Sequence, residues 1–375
     1  MASGEGVMER AGAWIGGTPA SLDEAAAEAA RLIMASGQPL FAGLGTDVDG
    51  ARHAVALAER VGGVVEHMHS APMLRDLDSL RETGVMLTTP GEARVRADVV
   101  VLVGEGLDEA WPGLNERLLS VPARPDGADI QRRIVVLARD APSKRPGPVE
   151  TVVFGRGAGF AANLAALRAR VKRRPRTAAP SQHDAIAELL REAKFGVAIW
   201  SAADLDALEI EMVNGLVRDL NESTRFSSLP LAAGGNGAGA LAVCGWMTGF
   251  PMRTGFGSGA PVHDPWRYDA ERLVRAGEAD CVVWISAFGA PPPEWARGSI
   301  AVALCDGGAR PAETPNVLIE VGRPGVDHDG VLHSSDTGTL VAVSARSRSP
   351  DGALSVAEAL ARIAGCLSDG SGEAC

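Results

Sequence analysis

His67 and His69 alternate along the segment that follows Gly63-Val64-Val65-Glu66, so both imidazoles can face one side of an extended chain. Glu66 beside them makes a metal corner conceivable. Two histidines two residues apart are nevertheless short of the ligand set that zinc requires, and no metal site is expected. Asp327-His328-Asp329 with His333 is a second polar cluster, which reads more simply as a turn between strands. Gly43-Leu44-Gly45 stands between a strand and a helix, with Gly50 further on. A dinucleotide fingerprint needs its third glycine two positions earlier, and Asp47 and Asp49 would repel a phosphate there while suiting a helix cap. Gly155-Arg156-Gly157-Ala158-Gly159 enters another helix and reads as a joining turn. The richest glycine segment, Ala233-Gly234-Gly235-Asn236-Gly237-Ala238-Gly239-Ala240, offers bare backbone for close approach to a ligand or another chain, with a flexible surface loop as the plain alternative. Neither G-x-S-x-G nor H-E-x-x-H occurs, so neither hydrolase elbow nor zincin chemistry is indicated.

The five cysteines, Cys244, Cys281, Cys305, Cys366 and Cys375, are widely spaced and form no C-x-x-C pair. That spacing argues against an iron–sulfur cluster, a zinc ribbon and a disulfide framework. Cys244, Cys281 and Cys305 lie in apolar runs and read as core thiols.

The elements that must position these residues alternate in type. Helix patterns run over Leu22–Ser36, opened by the capping box Ser21…Glu24, and over Ala51–Val61, Ala185–Ala193 and Leu205–Leu220. Strand patterns cover Pro39–Gly43, Gly63–Glu66, Ala97–Val103, Arg133–Leu137, Thr151–Phe154, Gly196–Trp200, Cys281–Ala287, Ser299–Leu304, Asn316–Val321 and Thr339–Ser344. Valine-rich runs such as Ala97–Val103 suit parallel strands covered on both faces, so the expectation is an α/β protein with doubly wound, mostly parallel sheets. Residues 1–19 read as an N-terminal arm.

Length and composition narrow the classes of function. The 375 residues suggest about two domains. A net charge of −11 disfavours a phosphate backbone, so no nucleic-acid partner is expected. The one basic cluster, Lys172-Arg173-Arg174-Pro175-Arg176, reads as a solvated helix end before a linker. No apolar run approaches the ~20 residues of a membrane span, and the acidic start (Glu5, Glu9) is unlike a signal peptide, so a cytoplasmic protein without membrane contact is expected.

Several runs, in order and spacing, resemble one family. Gly91-Glu92-Ala93-Arg94-Val95-Arg96-Ala97-Asp98-Val99-Val100 comes first, then Leu220-Asn221 with Thr224-Arg225-Phe226, and the glycine loop 234–240. Trp246-Met247-Thr248-Gly249-Phe250-Pro251 follows, then Gly259, Pro261 and Asp264-Pro265, and the turn Pro324-Gly325-Val326-Asp327-His328-Asp329-Gly330. Together they are similar to the catalytic B subunits of molybdenum or tungsten formylmethanofuran dehydrogenases, from about residue 21 to 345. The resemblance implies the formate dehydrogenase/DMSO reductase type of fold, one α/β domain inserted in another. The first domain would comprise 20–67 plus 231–375 and the insert 68–230, with no iron–sulfur domain.

The departures from that family concern its cofactor. The family's metal-ligating cysteine opens a Cys-His-Gly-Pro run, and the corresponding positions here are His69-Ser70-Ala71-Pro72. No cysteine precedes Cys244, so the cluster-binding cysteines have no counterpart. The loop after the valine strand, Val103-Gly104-Glu105-Gly106-Leu107-Asp108-Glu109, carries three acids where the family approaches the pterin nucleotide, and Ala138–Lys144 replaces a further cofactor turn. The resemblance therefore implies a degenerate member, of the B type, of the bacterial formyltransferase/hydrolase complex. It would be a non-catalytic scaffold in tetrahydromethanopterin- and methanofuran-linked oxidation of formaldehyde to formate, as in methylotrophy. It would bind sister subunits of the A, C and D types. It would have no activity of its own, no catalytic residue and no cofactor, with molybdopterin, molybdenum or tungsten and the 4Fe–4S cluster all lost. Gly234, Gly235, Asn236 and Thr248 would be remnants of the cofactor loop. The packing surface expected for partners is the 234–240 loop with the Thr248–Pro251 and Pro324–Gly330 turns. Two alternatives stand beside this reading: an active molybdenum or tungsten oxidoreductase with an unusual ligand, and a stand-alone Rossmann-like nucleotide-binding protein.

Overall fold

The computed structural model of the chain describes residues 12–120, 132–140, 149–153, 159–173, 181–347 and 353–367. Along it, β1 (Ala13–Ile15), β2 (Thr18–Pro19), α1 (Leu22–Ala35), β3 (Pro39–Gly45), α2 (Val48–Arg60) and β4 (Val64–Val65) come first. They are followed by α3 (Ser70–Thr83), α4 (Pro90–Arg96), β5 (Val99–Val103), α5 (Leu107–Ala110), β6 (Arg133–Ala138), β7 (Val149–Val153), α6 (Phe160–Val171), α7 (Gln182–Arg191), β8 (Gly196–Trp200), α8 (Ala207–Leu220) and β9 (Phe226–Pro230). The last stretch holds α9 (Gly237–Thr248), β10 (Thr254–Gly255), β11 (Val262–His263), α10 (Ala270–Arg275), β12 (Cys281–Ser286), β13 (Ile300–Cys305), β14 (Val317–Glu320), β15 (Gly330–Ser334), β16 (Thr339–Val343) and α11 (Val356–Gly365). The chain divides into two compact units. One comprises residues 1–70, 235–333 and 340–375, the other 71–234 and 334–339.

The first unit is built on parallel strands in the order β4-β3-β12-β13-β14. Every residue of β3 is buried, as a strand covered on both faces requires. Helix α1 starts where the sequence indicates. The Ser21 hydroxyl accepts the Glu24 N–H at 3.2 Å and the Glu24 carboxylate accepts the Ser21 N–H at 2.9 Å. Its apolar stripe, Ala25, Ala26, Ala29, Ala30 and Ile33, faces inward, and α11 packs on α1 and α2.

Two expectations change in this unit. Residues 13–19, read as part of an arm, supply β1 and β2, and β1 pairs antiparallel with β14 (Ala13 opposite Ile319), so this stretch closes one sheet edge. Among the described residues the strand at Thr339–Val343 does not join the parallel sheet; it pairs only with β15 in a two-stranded ladder. The opposite edge of the sheet is likewise antiparallel, formed by β10 and β11.

The second unit holds a five-stranded, wholly parallel sheet in the order β7-β6-β5-β8-β9. Alternation along β5 sends Val99, Val101 and Val103 to one face, among Leu164 and Leu167 of α6, Leu190 of α7 and Val213 and Leu216 of α8. Val100 and Leu102 face the other side, among Trp111, Leu114 and Leu118. With both faces covered, the valine run reads as uninterrupted. Of the basic cluster, Lys172 pairs with Glu222 at 2.5 Å; residues 174–176 lie outside the described residues, as do 155–158 of the second glycine run.

Candidate functional site

The first unit's candidate site is assembled where β3, β4 and the entry to α9 meet. Beyond Val65 the chain stays alongside β3. Glu66 N–H donates to the Phe41 carbonyl and Met68 N–H to that of Gly43, both at 3.0 Å. Gly43 must be glycine here, because its φ is +83° and a Cβ would stand 2.5 Å from the Ile285 oxygen. The two histidine rings lie side by side, centroids 5.6 Å apart and tilted by 43°.

His67 is buried, and its hydrogen bonds define its state. Its Nδ1 accepts the backbone N–H of His69 at 3.0 Å, so that nitrogen is bare. Its Nε2 donates to the Gly235 carbonyl at 3.1 Å, so that nitrogen carries the proton. Burial pushes the imidazole down to about 3; the Gly235 carbonyl pulls the other way and His69 adds a small push downward. Both nitrogens are thus engaged by the chain itself. His69 is half-buried, and burial lowers its pKa too. The metal corner conceivable from Glu66, His67 and His69 does not form: among the described residues no three His, Cys, Asp or Glu side chains are grouped as metal ligands.

Glu66 serves a different arrangement that the sequence did not disclose. Its buried carboxyl receives Arg253 Nε at 3.1 Å, and Arg253 also meets Asp269 at 2.6 Å and donates to the Pro265 carbonyl at 2.6 Å. Burial raises the Glu66 carboxyl to about 8 despite the pull of Arg253, and its Oε2 has no hydrogen-bond partner. Arg253 thus bridges the carboxyl groups of Glu66 and Asp269. An acid closing the apolar strand Val64-Val65 was the one available signal. Its partner lies 187 residues away and left no trace in the local pattern.

The glycine loop is shorter than the composition suggests, since residues 237–240 already belong to α9. Asn236 adopts a left-handed φ of +58° at the helix entry. Its Nδ2 donates to the Thr46 carbonyl at 2.8 Å and its Oδ1 accepts the His333 N–H at 2.8 Å, so the side chain ties the turn after β3 to β15. Gly235 lies against His67, and Gly234 immediately precedes it. Thr248 is not brought to this end. It closes α9 about 17 Å of helix away, where its hydroxyl donates to the Cys244 carbonyl at 2.7 Å and accepts the Phe250 N–H at 3.0 Å. Asp47 caps α2 by accepting the Gly50 N–H at 2.9 Å, as expected of it. The Asp327–Asp329 segment is a turn: Asp327 accepts the Arg323 N–H and Asp329 the Ala345 N–H, each at 2.8 Å. The core cysteines are inert by burial, which raises Cys244 and Cys281 to about 11 and Cys305 to about 12.

In the second unit, Glu105 of the acidic loop after β5 is tied to Arg139. Glu105 accepts the Arg139 backbone N–H at 2.6 Å and pairs with its guanidinium at 3.1 Å, while Glu209 takes the other arm of Arg139 at 2.5 Å. Asp204 accepts the Gly106 N–H so closely that a Cβ on Gly106 would stand 2.5 Å from its carboxylate oxygen.

No family model matches the chain. A curated relative, the B subunit of the formyltransferase/hydrolase complex Fhc from Methylorubrum extorquens, is 34% identical over 333 residues, covering 88% of this chain and 90% of that protein. The chain belongs to this family of B subunits. Its fold agrees: a chain of the crystal structure of the M. extorquens FhcABCD complex with methylofuran superposes with a TM-score of 0.85 at 33% identity, covering 95% of this chain and 98% of that one. A more distant relative is the B subunit of a tungsten-containing formylmethanofuran dehydrogenase from Methanocaldococcus jannaschii, 27% identical over 82% of this chain and 75% of that protein. Among the described residues no helix is long and apolar enough to cross a membrane.

Proposed function

We propose that this chain is a non-catalytic scaffold subunit of a formyltransferase/hydrolase complex in one-carbon metabolism. It assembles in the cytoplasm with sister subunits of the A, C and D types, binds no metal–pterin cofactor, and retains its doubly wound, inserted-domain fold because partners pack on it. The observation that carries this reading is the closed bonding of the cofactor-loop remnants. His67 spends both ring nitrogens and Asn236 both amide ends on the chain's own backbone. An imidazole at His69 is a poor substitute for a soft thiolate on molybdenum or tungsten. The Gly106 N–H that would face an anion already holds Asp204. These residues do not fit such a group.

The test is metal and pterin analysis of the native complex purified through this chain, alongside its formyl-transfer and formate-release rates. Activity with no molybdenum, tungsten, iron–sulfur cluster or molybdopterin is expected. Stoichiometric metal with a molybdopterin would replace this reading with that of an active oxidoreductase.

A further inference from the structure

The exposed large apolar side chains of this protein are concentrated in one short stretch. Of eleven among the described residues, five fall between residues 246 and 266: Trp246, Met247, Phe250, Val262 and Trp266. Trp266 is 72% exposed and Trp246 53%, although a buried aromatic would remove ~150–250 Å² from water. The five lie on adjoining elements. Trp246 and Met247 stand on the last turn of α9, and the Phe250 ring stacks on that of His263 in β11, centroids 6.4 Å apart. Asp264 Oδ1 accepts the backbone N–H groups of Trp266 and Arg267 at 3.0 and 2.8 Å, which fixes both residues just past β11. β11 is itself the outermost strand of its sheet, with one edge unpaired among the described residues.

The charges around this face bear on its partner. Arg253 is matched by Asp269, Arg272 by Glu278 and Arg275 by Glu271. Arg267 is exposed and makes no close ion pair among the described residues; its guanidinium lies over the Tyr268 ring at 5.2 Å, and its charge helps lower the pKa of Asp264 and Glu278. A complementary surface is apolar at its centre and sets a carboxylate opposite Arg267. A second copy of the chain is a poor match, because a two-fold contact centred here would bring two Arg267 side chains together. The superposable M. extorquens chain comes from a complex of several different subunits. Of the other remnant segments, Asn236 and Asp327 are bonded within the unit and offer less free surface.

We propose that the Trp246–Trp266 face is where a sister subunit docks, presenting an apolar patch with a carboxylate against Arg267. This rests on the reading of the chain as a complex subunit and extends it to a defined surface. Exposed tryptophans beside an arginine are the residue types that dominate interface energetics.

The experiment co-expresses the tagged chain with its sister subunits and measures assembly by size-exclusion chromatography with light scattering. Trp246→Ala/Trp266→Ala, Trp266→Glu and Arg267→Glu are compared with Leu208→Glu, an exposed position in the other unit. The first three should weaken subunit association about ten-fold or more, and Leu208→Glu should not. Circular dichroism and the thermal midpoint of each purified chain establish that the variants are folded, and Arg267→Glu reverses the charge while leaving Trp246 and Trp266 in place, at the loss of its contact with the Tyr268 ring. Variants that assemble as wild type overturn this surface while leaving the scaffold reading intact. A wild-type homodimer that Trp266→Glu dissolves overturns the choice of occupant. A wild-type chain that joins no sister subunit overturns both.

Discussion

The backbone N–H of His69 donates to Nδ1 of His67 at 3.0 Å, so the two histidines are joined by a hydrogen bond rather than by a shared ligand. That bond leaves the His67 proton on Nε2, aimed at the Gly235 carbonyl, and leaves the His69 ring outside any acid–base pair among the described residues. A general base needs a poised partner and access to a substrate proton. His67 has the partners but no free nitrogen, and His69 has no such partner.

Replacing His69 is accordingly expected to be silent. In the assembled complex, His69→Ala should keep formyl transfer and formate release within about two-fold of wild type, whereas loss of a general base or ligand usually costs ~10²-fold or more. Steady-state rates on a complex of verified stoichiometry decide this. A hundred-fold loss would give His69 a catalytic role.

His67 should matter to stability instead, with a defined sign. Its folded pKa is about 3, below the ~6.5 of a free imidazole. The unfolded chain therefore binds a proton that the folded chain refuses. Stability from this group is complete above pH 6.5 and declines by about 1.4 kcal/mol for each pH unit below it. His67→Gln keeps a donor and an acceptor but cannot titrate. Thermal midpoints between pH 4 and 7 should fall less steeply for His67→Gln than for wild type.

The sheet strands were legible because burial on both faces leaves a plain signature: Cys281–Ser286 and Gly196–Trp200 are continuous apolar runs between turn residues. The Ser21 and Asp47 caps were legible because capping is local, set within three residues. β1 and β2 were not, since three- and two-residue strands carry no periodicity; β1 owes its form to β14, far along the chain, and β2 to β1. At the site, the glycine-rich loop and the paired histidines could be picked out by type. What they do could not, because Asn236 is defined by Thr46 and His333, and Glu66 by Arg253, all distant in sequence.

Asn236 offers a test of that tertiary definition. Its side chain supplies two hydrogen bonds, and its φ of +58° favours Asn or Gly over other residues. Asn236→Ala should cost about 2–4 kcal/mol, combining two lost bonds at ~1 kcal/mol each with ~1 kcal/mol or more of backbone strain. Asn236→Gly relieves the strain alone and should recover about 1 kcal/mol of it. Denaturant titration of the two variants separates the terms. Equal losses would show that the backbone conformation carries no cost.

Glu66 gives the opposite pH dependence to His67, and the pair bounds the stable range. Its folded pKa of about 8 lies above the ordinary 4.5, so the folded chain holds a proton that the unfolded chain releases. Stability from this group is present below pH 4.5 and is lost as pH rises toward 8. The neutral form is the one that burial favours, with Arg253 matched by Asp269 instead. Glu66→Gln fixes that neutral form in nearly the same shape. The variant should melt close to wild type at pH 5 and above it at pH 9, with the gap opening between those values. Glu66→Ala, which empties a buried position and removes a bond to Arg253, should melt lower at both pH values. A Glu66→Gln chain that is uniformly less stable, by the same margin at pH 5 and pH 9, would show that Glu66 is ionised in the folded protein and that its pairing with Arg253 outweighs its burial.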